Sequence, residues 1–95
     1  MIYVITAIDT RRQDWRKRCS AYFFTLDEAK AYVEADGSDL SEGETNEWAV
    51  IERTPPGFPY DVVEEAWYCM NHLTHQYELS KKPEFSNNII NWGIG

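Results

Sequence analysis

Cys69, His72 and His75 recur at every third residue, and a thiolate with two imidazoles is a donor set that zinc accepts. Cys19 is the only other cysteine available as a fourth ligand. The spacing corresponds to no common zinc module, and neither cysteine belongs to a Cys-x-x-Cys pair. The plainer reading is a polar hairpin turn that includes two histidines, so no metal is expected. If the chain were an enzyme, Cys69 or His75 would be the residue to suspect. Cys69 lies among Trp67, Tyr68 and Met70, where a thiol behaves as a small hydrophobe rather than a nucleophile. Carboxylates are plentiful, but acid–base work needs burial or a close like charge to raise a carboxyl pKa. The order of residues demands neither, and a solvated face is expected. The five glycines, at 37, 43, 57, 93 and 95, form no phosphate-cradling fingerprint. No catalytic residue and no cofactor are expected.

Charge is segregated along the chain. Residues 11–18 hold five cations against one acid, for a net +4, while residues 26–65 hold twelve acids against two cations, for a net −10. Two recognition schemes follow. An anionic face built from Glu28, Glu34, Asp36, Asp39, Glu42 and Glu44 would occupy a basic surface of another protein, with encounter rates that fall as salt rises. Alternatively, Arg11, Arg12 and Arg16 would fork around phosphate oxygens while Trp15 stacks on a base, capturing a small phosphorylated nucleotide at a subunit interface. Such a surface repels duplex nucleic acid. The bland alternatives are acids that keep a small protein soluble and a basic loop that pairs with the protein's own acids or those of a neighbouring subunit.

The elements that would carry these residues read as follows. Ile2–Ile8 is β-branched and aromatic, a buried central strand. Asp9–Arg18 reads as a charged loop and Cys19–Phe24 as a second strand. Thr25-x-x-Glu28 is a capping box that opens a helix from Leu26 to Ala35. Leu26, Ala29, Tyr32 and Val33 make its apolar stripe, and Gly37 is expected as its left-handed stop. Ser38–Glu47 reads as an exposed acidic connection. Trp48–Arg53 is a third strand, ended by prolines at 55, 56 and 59. Residues 61–73 fit either a helix capped by Asp61 and Glu64 or a hairpin pairing Ala66–Met70 with Gln76–Leu79, and the hairpin is preferred for its aromatic content. The apolar tail to Gly95 is expected to pack back on the domain.

At 95 residues and net charge −7, the chain fits a single domain over 1–95. Two cysteines suggest reduced thiols in a cytoplasm. No apolar run approaches the ~20 residues of a membrane span, and the opening residues read as a strand rather than a signal peptide. The order of elements predicts an α+β fold: a small, mostly antiparallel sheet (β-β-α-β-β-β) with one helix on one face.

Tyr22–Lys30, Trp48–Arg53, Pro56-Gly57, Lys82–Phe85 and the closing Asn91-Trp92-Gly93-Ile94-Gly95 together resemble a set of small proteins encoded by phages and prophages of gut and related bacteria. No activity attaches to that set, so no functional residue carries over. The resemblance implies an accessory gene on a mobile element. Its products often block a host defence or nucleic-acid-handling protein, or sequester a signalling nucleotide. The sequence therefore points to a non-catalytic protein that binds a basic host surface, with nucleotide capture as the alternative, and it is compatible with a homo-oligomer.

Overall fold

The computed structural model describes residues 1–11, 16–55 and 62–83, with the backbone alone at Arg16. Five strands and one α-helix follow in the order β1 (Ile2–Asp9), β2 (Arg16–Phe23), α1 (Leu26–Glu34), β3 (Trp48–Thr54), β4 (Val63–Asn71) and β5 (Gln76–Ser80). They form one sheet in the order β2-β1-β3-β4-β5, antiparallel throughout, with α1 packed on one side. This is the expected α+β architecture. The described helix is too short to cross a membrane.

β1 occupies an inner position because both of its faces are apolar. Ile5 and Ala7 face α1, while Val4 and Ile8 lie on the other side, and all four are fully buried. Its neighbours are in register through Ile5↔Ala21 on β2 and Ile5↔Ile51 on β3. Under the helix, Ala49, Ile51, Ala66, Tyr68, Met70 and Tyr77 continue the core, and Ala29 and Val33 of α1 close it. Burying a valine side chain such as Val33 contributes roughly 1.5–3 kcal/mol. On the opposite side Val50 and Trp67 join Ile8, and Trp48 meets Trp67 edge to face at 6.3 Å.

The preferred hairpin is present. β4 and β5 pair from Trp67↔Ser80 to Asn71↔Gln76. The capping box forms with one change. Thr25 Oγ1 accepts from the Glu28 backbone N–H at 3.2 Å, but the Glu28 carboxylate takes the Thr25 hydroxyl at 2.9 Å instead of reaching a backbone N–H.

Three expectations need correction. Arg16, Lys17 and Arg18 are strand, not loop: they pair with Asp9, Ile8 and Ala7 on an edge, where charged residues are tolerated and suppress stray pairing. The left-handed residue after α1 is Asp36, at φ 52°, not Gly37. Gly37 is required for space, since a Cβ there would lie 2.4 Å from Tyr32 Cδ2. The 38–47 segment is no exposed connection. Leu40, Ser41 and Asn46 are buried, Asn46 Nδ2 donates to the Leu40 carbonyl at 2.9 Å, and the Tyr77 hydroxyl donates to the Asn46 carbonyl at 2.6 Å. The helix alternative capped by Asp61 gives way to strand at Glu64, and Asp61 itself lies outside the described residues, as does the tail.

Candidate functional site

The six acids expected on one face do lie on α1 and the loop that follows it, but each has a specific internal engagement. Glu28 caps α1 with Thr25. Glu34, exposed in the last turn, accepts the Tyr68 hydroxyl at 3.1 Å, and burial together with that bond pushes the Tyr68 phenol up to about 12. Asp36 is turned inward, its two oxygens taken by the Ser41 N–H and hydroxyl at 2.8 Å each. Asp39 stays exposed and accepts the Gly43 N–H at 3.3 Å. Glu42 pairs with Arg18 of β2 at 3.3 Å. Glu44 is held by both histidines of the β4–β5 turn, through His72 Nδ1 at 3.2 Å and His75 Nδ1 at 2.9 Å. The His75 bond first, then His72, holds the Glu44 carboxyl below its usual range.

The loop is also strained in a patterned way. Asp36, Ser38, Asp39, Glu42 and Glu44 all have left-handed backbone, with φ between 49° and 69°. Aspartate tolerates that region through local hydrogen bonds, whereas glutamate gains less from it. The two left-handed glutamates are the two whose carboxylates are gripped from β2 and from the β4–β5 turn.

Among the described residues, Asp27, Glu28, Glu34 and Asp39 make no ion pair with a lysine or arginine, and all four are exposed. The anionic face is thus narrower than its sequence suggests, and Asp27 belongs to it. On the cationic side, Arg11 and Arg18 are both ion-paired. Arg11 folds onto Asp9, with its backbone N–H and Nε both donating to Oδ1. Arg12 and Trp15 lie outside the described residues, and Arg16 contributes a described backbone only.

His72 and His75 converge on Glu44, whereas Cys69 lies on β4 with its thiol directed to the Met70 carbonyl. Among the described residues no set of three or more such side chains has metal-holding geometry. Burial pushes both thiols up, Cys19 with help from Glu52 and Cys69 with help from Glu47 and Glu78. That is the wrong direction for a nucleophile.

One group was overlooked. Glu52, in the middle of β3, is 2% exposed, and its Oε1 has no hydrogen-bond partner. Thr6 on β1, buried on the same side of the sheet, also leaves its Oγ1 unpartnered. Burial, then the nearby charge of Glu64, raises the Glu52 carboxyl to about 8, so it is a neutral acid at pH 7. The signal was present in the alternation Trp48, Val50, Glu52, which puts the glutamate on an apolar stripe. So enclosed a carboxyl couples the stability of the fold to pH.

Compared with known proteins, the chain matches no family model, no curated protein and no solved structure.

Proposed function

We propose that this protein acts by binding, not catalysis, and that its anionic helix–loop face occupies a basic surface on another protein. The observation that carries this reading is the set of four exposed acids, Asp27, Glu28, Glu34 and Asp39, which no described lysine or arginine neutralises. Residues 26–47 hold eight acids and one lysine, so the field around these four has one sign. A one-signed face raises the encounter rate with basic surfaces and fixes their orientation. The alcohol and amide groups around it (Ser41, Thr45, Asn46) are tied into the loop, which holds its acids on a fixed frame.

The resemblance to phage-borne accessory proteins supports a host protein of the defence or nucleic-acid-handling kind as the partner, met in the cytoplasm of the infected cell. A nucleotide-capture role draws no comparable support, because Arg11 is engaged by Asp9.

The test is capture from host lysate by immobilised wild type and by the Asp27→Asn, Glu28→Gln, Glu34→Gln, Asp39→Asn variant, with elution in a salt gradient. A partner retained by wild type, released by moderate salt and lost with the variant is the expected result. Equal retention by both proteins defeats the reading.

A further inference from the structure

The two unpartnered side chains on the side of the sheet away from α1 are neighbours. Val4 of β1 stands opposite Glu52 of β3, and Thr6 stands opposite Val50. Thr6 and Glu52 therefore occupy two diagonal corners of one quartet, and two valines occupy the others. Diagonal neighbours on adjacent strands lie roughly 7–8 Å apart, within reach of a long side chain. All four residues are at most 2% exposed. Neither Thr6 Oγ1 nor Glu52 Oε1 has a hydrogen-bond partner, so the two do not bond each other. Buried polar atoms left unpaired are costly, and nearly all of them in folded proteins meet a protein group or an ordered water.

The strands on either flank are irregular at this level. β1 steps from Ile5 to Thr6 while β2 steps from Ala21 to Cys19, so Ser20 is an extra residue beside Thr6. β3 steps from Ile51 to Glu52 while β4 steps from Ala66 to Glu64, so Glu65 is an extra residue beside Glu52. Ile5 and Ile51 are themselves in register, which puts the two bulges at one height of the sheet, one on each side of the quartet. A bulge interrupts the ladder and bends its strand. The polar side chains that come with these bulges are committed elsewhere. Ser20 Oγ bonds the Tyr32 hydroxyl at 3.0 Å, Glu65 pairs with Arg53 at 2.9 Å, and Glu64 takes the Trp67 indole N–H and Lys82.

We propose that Thr6 and Glu52 form a binding site for a single water molecule within the buried side of the sheet. A water about 2.8 Å from each oxygen bridges atoms up to about 5.6 Å apart, which suits a diagonal pair whose side chains do not meet. Water both donates and accepts, so it serves a hydroxyl and a carboxyl together. A metal cation fits worse, because one hydroxyl and one carboxyl between two valines offer too few oxygen ligands. An apolar occupant would leave both polar atoms unpaired. The site is independent of the partner-binding reading, since the anionic helix–loop face lies on the other side of the sheet.

Magnetic relaxation dispersion of water oxygen-17 counts long-lived internal waters in the full chain. Thr6→Val is expected to lower the wild-type amplitude by about one water. Glu52→Gln, whose amide both donates and accepts, is expected to keep it. Circular dichroism checks the fold of each variant. In the wild type, direct cross-relaxation is expected between water and the methyl groups of Val4 and Val50, and this measurement decides the matter if Thr6→Val does not fold. An unchanged amplitude in a folded Thr6→Val protein overturns the proposal. So does the lack of water contact at both valines, which would mean that Thr6 and Glu52 meet directly or stay unpaired.

Discussion

Glu52 on β3 stands in register opposite Glu64 on β4, so two carboxyl groups share one side of the sheet across a single strand boundary. They are not equivalent. Glu64 is served by the Trp67 indole N–H and by Lys82 Nζ at 3.2 Å, whereas Glu52 Oε1 receives no hydrogen bond. One carboxyl is therefore met by two donors, and the other is kept neutral by its surroundings.

That asymmetry predicts a fold that weakens as pH rises. The native Glu52 carboxyl holds its proton to about 8, while the unfolded chain releases it near 4.5. The contribution is complete below 4.5 and is lost as pH climbs through about 8, at about 1.4 kcal/mol per pH unit inside the window. Glu52→Gln should remove this slope and leave the protein more stable than wild type above pH 8. Urea unfolding at one-unit pH intervals reads both. Parallel stability curves for the two proteins would contradict the assignment.

Glu44 behaves in the opposite sense. Its imidazole contacts lower its carboxyl pKa, so their contribution is complete above the unfolded value of 4.5 and fades as acid titrates the native carboxylate. His72→Asn with His75→Asn should move the Glu44 titration back up toward that value. Carboxyl carbon chemical shifts followed by NMR from pH 2 to 7 give the answer, and an unmoved titration would show that the histidines do not hold the loop.

Two glycines of the same loop should fail for different reasons. Gly37→Ala drives a methyl into the Tyr32 ring, whose hydroxyl is tied to Ser20 Oγ at 3.0 Å, so the ring cannot simply swing away. Overpacking of this kind costs roughly 1–3 kcal/mol. Gly43→Ala meets no atom within 4 Å but must adopt φ +68°, a strain of about 1 kcal/mol. A Tyr32→Ala background should rescue the first substitution and leave the second unchanged, as thermal unfolding of the five single and double variants would show.

Tyr77→Phe removes a buried hydroxyl and leaves the Asn46 carbonyl unpaired. The expected loss is about 1–3 kcal/mol. Because this bond joins the hairpin to the 36–47 loop, amide exchange at Asn46 and its neighbours should quicken more than exchange in β1. Uniform quickening across the sheet would mean that the hydroxyl supports the whole fold and not the loop in particular.

Where β-branched and aromatic residues run together, as in Ile2–Ile8 and Trp48–Ile51, the sequence announces a buried strand directly, and the β4–β5 pairing follows from its aromatic run. Arg16–Arg18 was illegible because a charge run reads as loop, although an edge strand tolerates such a run. The 38–47 loop was misread because its sole aliphatic anchor, Leu40, is diluted by acids, and because left-handed glutamates have no composition signature. The acidic residues of the site were visible as types. Their partners were not, since Tyr68, Arg18, His72 and His75 reach them from strands and a turn distant in the chain.

Residues 2–9, which leave a ribosome before the other four described strands, end up inside the sheet rather than at its rim. β2 can join β1 early, since the two are close in sequence, but the other flank of β1 waits for residues 48–54. During that interval Ile5 and Ala7 lack β3, and the helix that will cover them is complete only after residue 34. Nascent chains of this protein therefore carry an open, sticky flank for about forty residues of translation, and that is the stretch in which a chaperone has most to protect.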